Sequence, residues 1–212
     1  MRPAGGIART VGVLGHELRN PLAAAVTGTA LLRELVDAQD PRRQIGDGVA
    51  SELQRIAALI DHYLDFARCG QARREAVALK DVLAAAASRR CGVTVDGVLD
   101  AQVTGDAVLL ERAFDNLIDN AFAAGASHLA VDVRRDEDTL VIAVEDDGKG
   151  VPPELRARIF ELGFSRHGST GLGLGFVAEV MAAHRGSIVC ENGRRGARFV
   201  LRLPVRCTEA SV

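Results

Sequence analysis

His16 is the first residue of this sequence whose type and setting suggest chemistry. It lies in the segment LGHELRNPL (residues 14–22), off the apolar stripe of a helical pattern, so its side chain should face solvent. A neutral imidazole can act as a nucleophile near pH 7. Glu17 could accept the N–H of the second ring nitrogen, and Asn20 lies one helical turn from His16. Taken alone, the segment favours an ordinary exposed histidine on a charged helix face.

Two asparagines form the second candidate. Asn116 and Asn120 lie one helical turn apart in the segment ERAFDNLIDNA (residues 111–121), whose apolar residues occupy another face. Their amide oxygens suit a hard cation such as Mg²⁺. The alternative is a pair of surface asparagines, although asparagine is a mediocre residue for a helix interior.

A third candidate is the acidic turn EDDGKG (residues 145–150), which follows a strand pattern. Gly148 and Gly150 would let the backbone turn tightly and approach a ligand. A carboxylate in this turn could accept a hydrogen bond from an exocyclic amine such as that of adenine. An ordinary turn at the end of a strand is the competing interpretation.

The fourth candidate is the glycine-rich segment GSTGLGLG (residues 168–175), which opens a helical pattern. Glycines before a helix present free N–H groups and the positive end of the helix dipole to phosphates. The segment is neither a Walker A loop nor a Rossmann fingerprint, since the following Gly-Lys-Ser/Thr and the βαβ context are missing.

Two long helices should position His16. Apolar residues recur at three- and four-residue steps over residues 7–37 and again from about 48 to 69. Pro41 is interpreted as a stop signal between them, and Gly70 as a terminator. The resulting hairpin would leave apolar surface uncovered, so we expect two copies to pair into a four-helix bundle.

The pattern of residue types changes after residue 75. Short β-like runs alternate with helical stretches at about 106–124, 153–161 and 172–184. This alternation predicts an α/β sandwich with helices on one face of a sheet, and hence an α+β chain overall. The strand-like runs are Val93–Val98, Leu129–Val133, Leu140–Val144, Ser187–Cys190 and Ala197–Leu203. The polar stretch Gly70–Glu75 is the predicted linker, giving a helical domain over 1–70 and a second domain over 75–206.

Composition excludes several classes of function. The net charge is −2 and aromatic residues are only 4% of the chain, which disfavours nucleic acid as a partner. The four cysteines lie far apart, so neither a zinc site nor a disulfide framework is indicated. The sequence contains no signal-peptide pattern and no apolar run of transmembrane length. We therefore expect a cytoplasmic setting with no membrane segment in this chain.

Together these segments resemble the transmitter core of two-component sensor histidine kinases. LGHELRNPL resembles the H box, NLIDNA the N box, EDDGKGVP the first glycine box, IFELGFSRH the F-box region and STGLGLG the second glycine box. The resemblance implies a dimerisation and phosphotransfer hairpin followed by a Bergerat-type ATP-binding sandwich. It also implies Mg²⁺ as cofactor and a response-regulator receiver domain as partner.

The resemblance assigns roles to individual residues. His16 would be the phosphoacceptor, with Glu17 and Asn20 also positioning the water that dephosphorylates the regulator. Asn120 would ligate Mg²⁺, and Asp146 would contact adenine. The implied ATP site consists of Asn116, Asn120, Asp146, Gly148, Gly150, Phe160, Phe164, Arg166, Thr170, Gly171, Leu172 and Gly173. The segment SRHGS (residues 165–169) is very short for an ATP lid.

The predicted function is ATP-dependent autophosphorylation of His16 followed by phosphoryl transfer to an aspartate of a response regulator, an activity of protein-histidine kinases. One alternative is a phosphotransfer or scaffold protein whose nucleotide domain no longer works. Another is a protein-serine kinase of the anti-sigma type, which shares the ATP fold but does not need the His16 hairpin. No sensory domain is evident, so we expect the input signal to come from elsewhere.

Overall fold

The computed structural model describes residues 5–37, 39–164 and 171–205. The chain forms two compact units that divide after Arg68, called the helical unit and the sheet unit below. Within the described residues, no helix has both the length and the apolar character needed to cross a bilayer.

The helical unit is built from two long helices, α1 (Gly5–Glu34) and α2 (Pro41–Cys69). α1 stays helical through Pro21, which lacks a backbone N–H and removes one hydrogen bond from the helix. At the start of α2, Asp40 Oδ1 accepts a hydrogen bond from the backbone N–H of Arg42 at 2.8 Å, which satisfies one of the free donors of the first turn. The predicted pair of long helices with a short connection is confirmed.

The predicted boundaries within this pair were wrong. α2 begins at Pro41, about seven residues before the predicted start, and α1 ends at Glu34 rather than at residue 37. Pro41 therefore opens a helix instead of stopping one. Proline is well tolerated at the first helical position, because its missing N–H would have no partner there and its fixed φ suits the helix.

Apolar side chains on the helical unit remain exposed in the single chain. Leu32, for example, is 63% exposed. The exposed large apolar residues of α1, α2 and their connection include Leu31, Leu32, Leu35, Ile45, Val49 and Ile56. An apolar surface of this kind is typical of a protein interface.

Within the described residues the sheet unit contains two sheets and three α-helices. The helices are α3 (Leu79–Ala87), α4 (Ala107–Ala123) and α5 (Gly173–Ala183). The strands are β1 (Glu75–Ala78), β2 (Val93–Gly97), β3 (Gln102–Gly105), β4 (Leu129–Asp136), β5 (Thr139–Asp146), β6 (Ser187–Asn192) and β7 (Ala197–Pro204). The small sheet pairs β1 with β3, and the large sheet has five strands in the order β2-β4-β5-β7-β6. β2 and β4 run parallel, and the other neighbours run antiparallel.

The core of the sheet unit lies between the large sheet and its helices. Leu129, Val131 and Val133 alternate with less buried residues along β4, as expected for a sheet covered on one face. α4 and α5 complete the core with Leu117 and Phe176, which are 1% and 0% exposed. The predicted α/β sandwich is therefore confirmed.

Some elements of the sheet unit differ from the prediction. The stretch 153–161, predicted as a helix, forms two short 3₁₀ turns, Pro153–Leu155 and Arg158–Phe160. β1, α3 and β3 were not predicted. β1 and β3 are only four residues long, too short for an alternating pattern to stand out from chance.

Candidate nucleotide site

α4 carries the two asparagines on one side and its core face on the other. Asp106 caps the helix by accepting hydrogen bonds from the backbone N–H groups of Val108 and Leu109. The Asn116 side chain donates to the carbonyl of Arg112 at 2.9 Å, which fixes the direction of its amide oxygen. Asn120, one turn further along, is exposed. The helix thus presents a fixed amide followed by an accessible one.

The N-terminus of α5 lies next to Asn116. A Cβ added to Gly173, the first residue of α5, would lie 2.6 Å from Asn116 Oδ1, so a larger residue at this position would displace the Asn116 amide. Leu172 precedes the helix and provides no capping hydrogen bond from its side chain. Within the described residues no side-chain cap binds the first turn of α5, whose N–H groups favour negative charge.

Asp146 ends β5 as a buried carboxylate, only 5% exposed. Its Oδ1 accepts hydrogen bonds from the backbone N–H groups of Gly148 at 2.9 Å and Ala197 at 3.1 Å. Within the described residues its Oδ2 accepts none. Burial raises the pKa of Asp146 from its usual range, although the two amides and nearby acidic groups act on it as well. One oxygen is thus held in place while the other is available to a donor.

Asp147, the next residue, is tied to a different part of the fold. Its carboxylate accepts hydrogen bonds from the hydroxyl and backbone N–H of Ser127, both at 2.7 Å, and from the backbone N–H of His128 at 2.9 Å. These bonds lower the pKa of Asp147 to about 2. All of them stabilise the connection from α4 to β4, so Asp147 has a structural role.

Gly148 and Gly150 give the acidic turn its shape. A Cβ on Gly148 would lie 3.3 Å from the backbone nitrogen of Ala126, just after the helix that carries the asparagines. Gly150 has a φ of +67°, in the left-handed region that favours glycine. The turn after Asp146 is therefore packed closely against the end of α4.

Phe160 and Phe164 are held by different contacts. The Phe160 ring meets Phe199 of β7 edge to face, with the ring centroids 6.3 Å apart. The guanidinium of Arg158 lies over the Phe164 ring, 5.1 Å from its centroid. Phe164 directly precedes the predicted lid, so this cation–π contact orders the residue that enters it.

Gly163 and Gly171 lie on either side of the predicted lid and contact each other. The backbone N–H of Gly163 donates to the carbonyl of Gly171 at 3.0 Å, and both residues have positive φ. A Cβ on Gly171 would lie 2.6 Å from the carbonyl carbon of Gly163. Gly163 and Gly171, on either side of residues 165–170, therefore lie next to each other. Arg166 and Thr170, two predicted site residues, lie outside the described residues.

His16, Glu17 and Asn20 all belong to α1, in the helical unit. Asn20 is exposed. The side chains of His16 and Glu17 lie outside the described part of the structure. Their predicted roles remain predictions.

Sequence reasoning missed the turn between β6 and β7. Ala197 donates to Asp146, and Gly196 packs directly against it, although about fifty residues separate them in sequence. The pair Gly193 and Gly196 between two strand-like runs was the available signal. It indicated a turn, but not what the turn would contact.

ATP with Mg²⁺ fits the residues of this site. The N-terminus of α5 suits phosphate oxygens, and the accessible Asn120 amide suits a cation that takes most of its other ligands from phosphates and water. Within the described residues, His, Cys, Asp and Glu form no cluster that could hold a metal by themselves.

Known protein families match both units of the chain. Residues 105–206 match the model described as "Histidine kinase-, DNA gyrase B-, and HSP90-like ATPase", and residues 8–71 match "His Kinase A (phospho-acceptor) domain". Fold and site thus define an ATP-binding sandwich preceded by a phosphoacceptor helical domain. The chain belongs to the histidine kinase family.

Individual relatives match about nine-tenths of this chain. The alginate biosynthesis sensor protein KinB of Pseudomonas aeruginosa is 32% identical over 90% of this chain, which spans 36% of KinB. The kinase/phosphatase MprB of Mycolicibacterium paratuberculosis is 31% identical over 94% of this chain, which spans 43% of MprB. The chain therefore spans less than half the length of both relatives.

A solved structure supports the assignment of the sheet unit. The crystal structure of the ATP-binding domain of PrrB from Mycobacterium tuberculosis is 32% identical, with a TM-score of 0.53. The match covers 62% of this chain and 97% of the PrrB domain.

Proposed function

We propose that this chain is the kinase core of a two-component sensor, which uses ATP to phosphorylate His16 and passes the phosphoryl group to an aspartate of a response-regulator receiver domain. The observation that carries the proposal is the approach of Asn116 to Gly173, which joins the asparagine helix to an uncapped helix N-terminus. The match of residues 8–71 to a phosphoacceptor domain supports an acceptor in the helical unit.

The proposed nucleotide site has a base end and a phosphate end. At the base end, Asp146 Oδ2 would accept a hydrogen bond from the adenine amino group, while its Oδ1 is held by Gly148 and Ala197. At the phosphate end, the first amides of α5 would bind phosphate oxygens. Gly150, Phe160, Phe164, Arg166, Thr170, Gly171 and Leu172 complete the proposed site.

The proposed reaction transfers the γ-phosphoryl group to a ring nitrogen of neutral His16. The new P–N bond forms as the bond to the ADP oxygen breaks, and Glu17 accepts the proton of the other ring nitrogen. Mg²⁺, held through Asn120, would neutralise charge on the phosphates. In the second step a receiver carboxylate attacks phosphorus, a P–O bond forms and His16 leaves.

We further propose that the same helix can remove the phosphoryl group from the regulator. Asn20 and Glu17 would position a water molecule for attack on the aspartyl phosphate. MprB, one of the relatives, is named a kinase/phosphatase.

We propose a homodimer formed through the helical unit, in the cytoplasm where ATP and receiver domains are present. Exposed leucines on α1, including Leu31 and Leu32, support a partner on this surface. A second copy of the chain would bury them in a four-helix bundle.

The test is incubation of the chain with γ-labelled ATP and Mg²⁺, followed by addition of candidate receiver domains. We expect acid-labile label on the wild-type chain, none on His16→Ala and about 10²–10⁴-fold slower labelling of Glu17→Ala. His128→Ala, which alters an exposed histidine outside the proposed site, is the matched control and should label normally. Label that persists on His16→Ala, or that survives acid, would contradict the proposal.

No observation favours the two alternatives. A scaffold without nucleotide binding has no physical need for the approach of Gly173 to Asn116 or for a buried carboxylate with an open oxygen. The phosphoacceptor match over residues 8–71 argues against an anti-sigma-type serine kinase.

A further inference from the structure

The turn between β6 and β7 leaves no space for a side chain at Gly196. A Cβ there would lie 2.1 Å from Asp146 Oδ1, 2.4 Å from the Asp146 carbonyl oxygen and 2.7 Å from the backbone nitrogen of Gly148. Two of these three neighbours are backbone atoms, so rotation of the Asp146 side chain could not relieve the contact. Gly193 and Gly150 also pack against the carbonyl of Gly196, which crowds the turn from further directions.

Side chains on both faces of the sheet bind the turn between β6 and β7. Successive residues of β5 point to opposite faces, so Glu145 and Asp146 act on different faces. Glu145 accepts a hydrogen bond from the backbone N–H of Arg194 at 2.6 Å and pairs with the Arg198 guanidinium at 3.1 Å. Asp146 accepts the backbone N–H of Ala197. These contacts hold the turn against the end of β5.

We propose that Gly196 is a positioning residue that determines how strictly the site selects the 6-amino group of its nucleotide. By allowing the turn backbone to lie against Asp146, it lets two amides hold Oδ1, so that Oδ2 points away from them toward the base. Gly196 acts through Asp146 and makes no contact with the nucleotide itself. The inference rests on the proposed function, since it takes ATP as the nucleotide.

The decisive comparison is between ATP and purine ribonucleoside triphosphate, which lacks the 6-amino group. Calorimetry with Mg²⁺ on the full chain should show that the wild type prefers ATP by about tenfold or more, because the analogue leaves a buried charged acceptor without its donor. In Gly196→Ala the affinity for ATP should fall by about that factor. The affinity for the analogue should change little, so the ratio of the affinities for ATP and the analogue should approach one.

Two glycine variants serve as controls. Gly186→Ala would place a Cβ 2.3 Å from the Arg202 carbonyl oxygen at the other end of β6, where it crowds the fold far from Asp146. It should lower the melting temperature and keep the preference for ATP. Gly70→Ala adds a methyl group with nothing within 4 Å and should change neither property.

If Gly196→Ala does not fold, Glu145→Ala decides the question, since it releases the turn from the outer face without adding a clash. A reduced preference for ATP supports the inference. An unchanged preference overturns the inference. A Gly196→Ala protein whose affinities for both nucleotides fall by the same factor also overturns it. Loss of the inference alone would leave ATP-dependent labelling of His16 intact, whereas failure of the proposed function would abolish that labelling in the wild type.

Discussion

The two units of this protein stabilise themselves in different ways. The twelve largest fully buried side chains of the described residues all lie in the sheet unit, between Leu79 and Leu203. The helical unit instead exposes leucines and isoleucines along its helices. A sheet covered by helices can bury its own apolar face, whereas two long helices cannot cover their stripes without further partners. The difference teaches that the sheet unit carries its core within the chain, whereas the described part of the helical unit leaves much of its apolar surface uncovered.

The largest expected effect on stability comes from truncating a buried side chain in the core of the sheet unit. Phe176→Ala removes a fully buried ring from α5 and should lower the free energy of unfolding by about 3–5 kcal/mol. This is a large part of the ~5–15 kcal/mol that stabilises a typical domain. Denaturant titration measures the change. Val108→Ala, at an exposed position of α4, should cost less than about 0.5 kcal/mol, and equal costs for the two variants would contradict the assigned core.

A smaller effect should follow from charging the helical unit. Leu32→Glu places a carboxylate on an exposed apolar surface, so it should weaken self-association at least about tenfold while leaving ATP binding intact. Sedimentation over a range of concentrations measures the dimer constant. Val108→Glu makes the same change on the sheet unit and should leave association unchanged. An unaltered dimer in Leu32→Glu would show that this surface is not the interface.

The smallest expected effect is on thermal stability, and it comes from replacing Asp147, whose carboxylate differs in its pH dependence from that of Asp146. The pKa of Asp147 is about 2 in the fold, below the ordinary 3.8, so its contribution to stability is present above pH 3.8 and is lost as pH falls through about 2. Asp147→Asn should therefore lower the melting temperature at pH 7 by about 2–4 °C. The gap to the wild type should narrow between pH 4 and pH 2.

Thermal melts across that pH range check this expectation. Asp138→Asn, in the turn between β4 and β5, is the control and should melt like the wild type. A gap that stays constant down to pH 2 would mean that the carboxylate of Asp147 is not what ties the connection between α4 and β4. The ionised carboxylate of Asp146 has the opposite effect on stability. Burial raises its pKa, so its charged form opposes folding.

Much of the fold could be predicted because its signals are local. The long helices, the five strands of the large sheet and the helix bearing Asn116 and Asn120 each show their periodicity within about twenty residues. The errors also have local causes. Pro41 can begin a helix as well as end one, and β1 and β3 are too short for a pattern to emerge.

The sequence by itself determined that Asn116 and Asn120 share a helix face and that glycines open α5, since both follow from residue spacing. Only the tertiary structure decided that Asn116 meets Gly173, that Asp147 binds the connection from α4 to β4 and that two backbone amides hold one oxygen of Asp146. It also placed Gly196 against Asp146. The physical reason is that side-chain direction along an element repeats with a known period, whereas contacts between distant segments depend on how the whole core packs.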